Sequence, residues 1–259
     1  MEVVEFNATR SKSYKEAIKN FEGVWKEDLQ VMVDYLSPEI GHSVLEIGAG
    51  SGFFSFEIAK RIGKNGILHV VEPSQEQLQP LYERGIENIN IHCESAEEMS
   101  MELYSELDLI WSRGAFHHVS SKTETMKALN RMSKLGARCL IFDIFSGSPV
   151  AEYFDYFVAE ACTTGHEVSF LSKSFARSMC KLSGWSEPKF IDIPLRWHFK
   201  EKEHIGEFLN QLLSNKPEYT SAITMAIAEE ILGVFKTDSG WCLNWAMTLM
   251  ETQEGIHYD

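Results

Sequence analysis

The stretch VLEIGAGSGFF, from Val44 to Phe54, places three glycines in five positions directly after a short apolar run. The run has the length of a buried strand, and FFSFEIAKRI, which overlaps its end, has the apolar spacing of a helix. A glycine-rich turn between strand and helix presents backbone N–H groups and the positive end of a helix dipole to a ligand. The spacing is GxGxG, and Phe53 stands where the dinucleotide fingerprint GxGxxG/A needs a very small residue.

A second signal ends the next apolar run, GILHVVE, which places Glu72 20 residues beyond Gly52. An acid at this point of a nucleotide-binding α/β fold accepts hydrogen bonds from ribose hydroxyls. Each signal also has a plainer interpretation, because the glycines could serve only a tight turn and Glu72 could be a solvated strand end. Two signals in the right strand order favour a nucleoside ligand.

Apolar runs alternate with helical patterns from His42 to Phe145, which predicts a parallel sheet with helices on both faces. Before them, SYKEAIKNFEGVWKEDLQVMVDYL predicts two helices that break near Gly23. The helical pattern of KTETMKALNRMSKL is expected to precede a strand at RCLIFDIF. The fold class is therefore α/β and Rossmann-like, with N-terminal helices.

The rhythm changes after Ser146, where helical patterns dominate. KFIDIPLRWHF predicts one strand, PEYTSAITMAIAEEILGVF one helix, and GWCLNWAMTLME a strand that returns antiparallel at the sheet edge. No flexible linker is evident. We expect a single domain over residues 1–259, with N-terminal helices at 1–40, a ligand-binding core at 41–145, and helical insertions with the last strands at 146–259.

Composition limits the partners. The chain has 259 residues with 24 Lys and Arg against 38 Asp and Glu, a formal charge of −14, and such a surface repels nucleic acid. The five cysteines form no metal-ligand pattern and are expected to be reduced core thiols. The first residues lack the apolar segment of a signal peptide and no membrane-spanning run follows, so a cytoplasmic protein without membrane insertion is expected.

These motifs resemble those of the class I S-adenosylmethionine-dependent methyltransferases. LEIGAGSG looks like their first motif, VVEPS like the second, and ESAEEM like the segment that flanks the adenine. LDLIWSRGAFHHV is similar to the fourth-strand motif of the small-molecule branch, methyltransferase type 11, which includes the quinone-biosynthesis enzymes. The resemblance covers roughly Asp34 to Phe145. It implies a seven-stranded sheet with an antiparallel last strand, and a cofactor over the carboxyl ends of the first four strands.

The resemblance also implies roles for individual residues. The backbone at Gly48, Ala49 and Gly50 would approach the methionine part of S-adenosylmethionine, and Glu46 would orient its ammonium. Glu72, followed by Pro73, would hold the ribose. The adenine would meet Ser95 and Ala96, and the carbonyl near Ser112 would accept a hydrogen bond from the amine. Ser95 departs from the Asp common in that family, and with Glu98 three residues later it could equally cap a helix.

Methyl transfer from a sulfonium requires alignment and, for a protonated acceptor, a base. His117 and His118 follow the fourth strand, at the sheet end where ligands bind in open α/β folds. A histidine can take a proton near neutral pH, although the pair could instead cap and pack a helix start. His166 is a second candidate, or a loop histidine. No NPPY or DPPY run follows the strand, which disfavours amide or adenine N-methylation.

Aromatic residues of the second half could line an apolar or aromatic acceptor pocket or belong to the core; they are Tyr153, Phe154, Tyr156, Phe157, Phe170, Trp197 and Phe199. The first helix, with Tyr14, Phe21 and Trp25, could be a lid over the cofactor or a packed helix. The sequence thus predicts a small-molecule methyltransferase that converts S-adenosylmethionine to S-adenosylhomocysteine. The alternatives are another chemistry on the same cofactor-binding fold and a catalytically silent binding protein.

Overall fold

The computed structural model describes residues 8–100, 106–165 and 169–255. The strands are β1 (Ser43–Ile47), β2 (Ile67–Val71), β3 (Ile89–His92), β4 (Leu107–Arg113), β5 (Ser133–Asp143), β6 (Lys189–Ile193), β7 (Arg196–Phe199), β8 (Val234–Thr237), β9 (Gly240–Asn244) and β10 (Met247–Gln253). The helices are α1 (Ala8–Asn20), α2 (Lys26–Leu36), α3 (Ser55–Ile62), α4 (Gln75–Arg84), α5 (Lys122–Met132), α6 (Pro149–Tyr153), α7 (Ala159–Ala161), α8 (Lys173–Leu182), α9 (Glu203–Leu213) and α10 (Ser221–Ile231). A 3₁₀ turn spans Phe116–His118, and a π-helical turn spans Phe154–Val158.

These elements belong to two compact units, each built from separate chain segments. The first comprises the described residues of 1–30, 146–168 and 193–247, and the second those of 31–145, 169–192 and 248–259. The predicted arrangement as one domain is not tested by this division and stays a prediction.

The second unit contains a seven-stranded sheet in the order β3-β2-β1-β4-β5-β10-β6. The pairs from β3 to β5 are parallel, and β10 runs antiparallel to β5. The predicted seven-stranded, mostly parallel Rossmann-like sheet is therefore confirmed. In the register, Ile47 pairs with both Val71 and Ser112, and Ser112 pairs with Ile141. The carboxyl ends of β2, β1, β4 and β5 consequently lie side by side, and the strand order reverses between β1 and β4.

Buried apolar side chains explain why these strands are central. Leu45, Ile47, Ile110 and Ile141 have at most 4% of their surface exposed. Strands buried on both faces read as continuous apolar runs, as these do in the sequence. Trp111 of β4 is fully buried and its ring lies 5.4 Å from that of Phe54. Burial of these side chains fixes β1 and β4, whose ends carry the glycine-rich turn and the histidine pair.

Three predictions of element type were wrong. KFIDIPLRWHF is two strands, because Pro194 separates β6 of the large sheet from β7 of another sheet. GWCLNWAMTLME is also two strands, and its second strand, β10, lies inside the sheet because β6 adds beyond it. Gly233, at φ +87°, ends the helical run before Val234, which starts β8.

Most other segments formed as predicted, with two shifts in boundary or exposure. The two N-terminal helices break around Gly23, at φ +91°. Helix α5 ends at Met132, so the expected helix over SKL is the start of β5 instead.

Four cysteines are buried free thiols as predicted, but Cys93 is exposed. No helix among the described ranges combines the length and apolarity that crossing a membrane requires.

The first unit combines helices with a second sheet in the order β7-β9-β8. Trp197 stacks on Trp245 with ring centroids 4.1 Å apart, and its indole N–H donates to both carboxylate oxygens of Asp28 at 3.2 Å. Ser13 of α1 donates a hydrogen bond to the carbonyl of Gln211 in α9 at 2.7 Å. An aromatic core joined by polar contacts therefore holds this unit together.

Candidate functional site

Each of the three glycines after β1 excludes a side chain for a different physical reason. All have positive φ, +72° at Gly48, +53° at Gly50 and +80° at Gly52. A Cβ on Gly48 would overlap that of Ala115, and a Cβ on Gly52 would come within 2.7 Å of Leu81. A Cβ on Gly50 would meet no atom within 4 Å in the part of the chain that the structure describes, its two chain neighbours aside. Packing of the protein itself therefore excludes side chains at Gly48 and Gly52, whereas Gly50, of these three, adjoins space that no described residue fills and that a ligand could enter.

Glu72 joins the end of β2 to this turn. One carboxylate oxygen accepts a hydrogen bond from the Gly50 N–H at 3.1 Å, and the other from the Ser74 N–H at 2.9 Å. Burial raises the pKa of this carboxyl, and the two backbone bonds oppose that rise. Each oxygen retains capacity for a further hydrogen bond, because a carboxylate has about four acceptor sites. Glu72 is thus a fixed acceptor beside the open face of Gly50.

A second acid, Glu46, lies in β1 and is 3% exposed. It accepts a hydrogen bond from the Ser55 hydroxyl at 2.5 Å. Desolvation raises the pKa of Glu46 to about 8, the Ser55 bond lowers it, and the charge of Glu72 raises it further. The raised pKa favours the protonated form of Glu46 near neutral pH, and a bound cation would favour its ionised form.

The other residues of the second unit that are assigned to the cofactor lie near the same sheet edge. Ser112 is buried and donates its hydroxyl hydrogen to the carbonyl of Ile47 at 3.0 Å. Ala49 and Ala96 are buried, whereas Pro73 is exposed. Ala49, Pro73 and Ala96 follow β1, β2 and β3, and Ser112 is the penultimate residue of β4, so all four lie near the ends of adjacent strands. Tyr14 belongs to the first unit, where its ring lies 5.7 Å from Trp25.

Ser95 forms the local contact expected of a capping box without starting a helix. Its N–H and hydroxyl both donate to one Glu98 oxygen, at 3.1 and 2.9 Å. These bonds lower the pKa of Glu98. The segment after Ser95 is a turn, so the helix N-cap interpretation was wrong in its helix although right in its partner.

His117 is bound by an acid that sequence reasoning missed. Its Nδ1 lies 2.5 Å from an oxygen of Asp143, and its backbone N–H donates to the other oxygen at 2.9 Å. Both side chains are buried, at 4% and 2% exposure. An ionised carboxylate only accepts, so Nδ1 carries the hydrogen in this pair. The arrangement fixes the ring and its tautomer, as required of a histidine base.

The position of Asp143 follows from sheet order. Asp143 ends β5, and β5 is the neighbour of β4, after which the histidine pair follows. The signal in the sequence was an acid inside the apolar run RCLIFDIF, where a buried carboxylate needs partners. The Ile144 N–H also donates to Asp143 at 2.7 Å, so this carboxylate accepts three hydrogen bonds.

The remaining catalytic candidates are less constrained. His118 is half-buried, and its ring lies 4.1 Å from that of His117. Phe170 also lies beside His117, with its ring 5.4 Å from that of the histidine. His166 lies outside the described residues, and its role stays a prediction.

The predicted aromatic pocket set divides between the two units. Phe170 is in the second unit, whereas the rest are in the first. Tyr156 is 73% exposed. The buried members of the first unit pack in its core; they are Tyr153, Phe154, Phe157, Trp197 and Phe199. Core packing accounts for these five, and their use as an acceptor pocket stays a prediction.

The chain belongs to the methyltransferase-domain family, whose model matches residues 39–193, more than half of the chain. A sequence relative is the uncharacterized methyltransferase YcgJ of Bacillus subtilis, 31% identical over 133 residues. That match covers 49% of this chain and 51% of YcgJ, so the chain spans about half the length of this curated relative. The resemblance to the class I S-adenosylmethionine-dependent methyltransferases is thereby confirmed.

Solved structures support the fold. The crystal structure of YcgJ has a TM-score of 0.60 at 17% identity, covering 88% of this chain and 98% of that one. Haemonchus contortus phosphoethanolamine N-methyltransferase 2, in complex with phosphomonomethylethanolamine and S-adenosylhomocysteine, has a TM-score of 0.66 at 15% identity, covering 97% and 58%. The [4+2]-cyclase SpnF has a TM-score of 0.58 at 13% identity, covering 89% and 81%.

Proposed function

We propose that this protein transfers the methyl group of S-adenosylmethionine to a small-molecule acceptor, apolar or aromatic in character. The observation that carries the proposal is the hydrogen bond between the Gly50 backbone, which is open on one side, and the Glu72 carboxylate. It lies at the sheet edge that also carries the His117–Asp143 pair. The family supports the cofactor and the reaction. The cytoplasmic location predicted from the sequence belongs to the same proposal.

The donor set fits a nucleoside with an amino acid end. Glu72 has acceptor capacity for two ribose hydroxyls while it keeps its backbone bonds. Glu46 offers a buried acid to an ammonium group, and the backbone at Gly50 has room for a close neighbour. Ser95 and Ala96 are assigned to the adenine and the Ser112 carbonyl to the amine. A contact from Tyr14 and a lid role for α1 are expectations of the family resemblance alone.

When bound, S-adenosylmethionine supplies a methyl group that is already activated by the sulfonium. The chain then has to align the acceptor, exclude water and remove a proton. With its Nδ1 held by Asp143, His117 can take a proton from a hydroxyl, phenol or amine at Nε2. The Asp143 carboxylate stabilises the imidazolium that forms, which is the role of the acid in a catalytic triad. His118 and His166 are the alternative bases.

Formation of S-adenosylhomocysteine tests the reaction. Purified protein with S-adenosylmethionine and a panel of phenols, hydroxylated aromatics and amines should give S-adenosylhomocysteine and a product 14 daltons heavier than its acceptor. The SpnF neighbour carries a cyclase name on a similar fold, so cofactor binding with acceptor conversion but no S-adenosylhomocysteine would favour a non-methylating chemistry. Binding without any turnover would favour a silent binding protein.

Replacing Glu72 by Gln is expected to weaken S-adenosylhomocysteine binding at least about tenfold, because charge-assisted hydrogen bonds contribute roughly 1.5–3 kcal/mol each. The variant should also lose roughly 1–3 kcal/mol of unfolding free energy, since an amide N–H would face the Gly50 or Ser74 donor. Calorimetric titration and urea unfolding measure the two effects. Glu76→Gln, at an exposed acid in the first turn of α4, is the control. Affinity within twofold of wild type would place the ribose elsewhere.

Cofactor binding is expected to release a proton from Glu46. Because the pKa of the free carboxyl is raised to about 8, it holds its proton at pH 6–7, and a nearby cation draws it off. Affinity should therefore rise with pH, by up to about tenfold per unit, and level off near pH 8. Calorimetry in buffers of different ionisation enthalpy counts the released proton. Glu46→Gln should release none, and an unchanged proton count in this variant would remove Glu46 from the ammonium site.

A further inference from the structure

The segment from His117 to Ser121 is held by a buried ammonium group. Nζ of Lys122 donates to the carbonyls of His117 at 3.0 Å and of Val119 at 2.7 Å. Lys122 is only 7% exposed, although lysine is almost never buried unless it is paired. Its side chain folds back over the turn that carries the histidine instead of extending into solvent from the first turn of α5.

An acid holds the same segment through its amides. One oxygen of Glu97 accepts from the N–H of Ser120 at 2.6 Å and of Ser121 at 3.3 Å. Ser121 is the N-cap of α5 and makes no side-chain cap bond, and Glu97 accepts from its backbone N–H, one of the donors that a helix start leaves without an intrahelical partner. Lysine thus binds the carbonyls and glutamate the amides of one short segment.

Charged groups of both signs lie around this segment. Burial lowers the pKa of Lys122, and the carboxylates of Asp143 and Glu97 oppose that decrease. A buried ammonium is costly unless charges and hydrogen bonds compensate it. Glu97 lies in the turn after β3, Lys122 in α5 and Asp143 in β5, yet all three bind backbone groups between His117 and Ser121.

We propose that Lys122 and Glu97 form an ionic clamp that positions His117 against Asp143. The purpose of the clamp, orientation of a base, rests on the proposed function, but its effect on the histidine does not require cofactor or acceptor. Lys122 and Glu97 are positioning residues, because they act on the backbone that carries the imidazole. Glu97 directly follows Ser95 and Ala96, so the clamp also links the segment assigned to the adenine with the histidine turn.

The ring N–H that His117 donates to Asp143 reports on the clamp in the free protein. In ¹⁵N-labelled protein, this proton should give a downfield resonance that exchanges slowly with water, and His117→Gln assigns it by removing it. Lys122→Met should accelerate its exchange at least about tenfold, because two charge-assisted hydrogen bonds that hold the turn are lost. Lys122→Arg should restore slow exchange. Lys127→Met, at a half-exposed lysine of the same helix, is the matched control and should leave it unchanged.

A folded Lys122→Met protein that keeps the resonance with exchange within threefold of wild type would overturn the proposal. If that variant does not fold, Glu97→Gln decides, because it removes the negative charge of the clamp at an exposed position. Exchange of the His117 ring proton should then accelerate several-fold, and unchanged exchange would reject the clamp. With an acceptor in hand, Lys122→Met should lower kcat with little change in the KM for S-adenosylmethionine. Failure of wild-type protein to bind S-adenosylmethionine would reject the proposed function and leave the exchange result, and the clamp, standing.

Discussion

Gly50→Val is expected to abolish measurable binding of S-adenosylmethionine and S-adenosylhomocysteine in a protein that still folds. Among the described residues, apart from its two chain neighbours, no atom lies within 4 Å of where a Cβ on Gly50 would stand, so the new side chain would occupy the space assigned to the ligand without displacing the protein. The loss should be at least about a hundredfold, equivalent to roughly 2.7 kcal/mol. Isothermal calorimetry with S-adenosylhomocysteine measures it.

Backbone strain needs its own control, because φ at Gly50 is +53° and a left-handed conformation costs a branched residue at least about 1–2 kcal/mol. Gly85→Val provides this control, because Gly85 caps the end of α4 and has the same φ of +53°. A Cβ there would likewise meet no described residue within 4 Å beyond its chain neighbours. Both variants should lose similar stability, but only Gly50→Val should lose binding. Full binding by folded Gly50→Val protein would move the cofactor away from this turn.

The neighbouring glycines would be poor probes of the same question. A methyl group at Gly48 would overlap Ala115, and one at Gly52 would press on Leu81, so both substitutions disturb packing before any ligand is present. The sequence pattern predicted correctly that the turn excludes side chains. It could not separate ligand space from packing, because the partners at Ala115 and Leu81 are brought to the turn only by the folded sheet and α4.

Features that leave a local pattern in the sequence were predicted, whereas features that depend on contacts between distant segments were not. Buried strands and the helices between them were predicted because each leaves a local apolar pattern. The split at Pro194 and the inner place of β10 were missed, since they depend on which strand edges meet. Pro194 was nevertheless a usable signal, because a proline inside an apolar run argues against one continuous strand.

In the candidate site too, residues with a local sequence signal were predicted, and their long-range contacts were missed. Glu72 was found from its distance to the glycines, but its backbone bonds to Gly50 and Ser74 were not, because they form only when the turn after β1 and the end of β2 meet in the fold. Asp143 was missed altogether. It lies 26 positions beyond His117, and only the adjacency of β4 and β5 reveals the contact. An isolated acid in an apolar strand is the local signal that could have found it.

His117→Gln is expected to lower turnover at least about a hundredfold while cofactor affinity stays near the wild-type value, because general-base assistance contributes about 10²–10⁴-fold. This expectation applies to a hydroxyl, phenol or amine acceptor, since a carbon nucleophile or thiolate has less need of a base. Asp143→Asn should also reduce turnover strongly, because the amide can present an N–H to Nδ1 and favour the wrong tautomer. The effect of His118→Gln should be smaller, since Asp143 holds His117.

Single-turnover rates over a range of pH separate these roles once an acceptor is known. The acidic limb that an imidazole base gives to the rate profile should disappear in His117→Gln and persist in His118→Gln. His42→Gln, at the amino end of β1 and so at the opposite edge of the sheet, is the control for loss of a histidine. If His117→Gln and Asp143→Asn both stay within threefold of wild type with the acidic limb intact, the buried pair is structural. The base would then have to be sought at His118, at His166 or among the tyrosines.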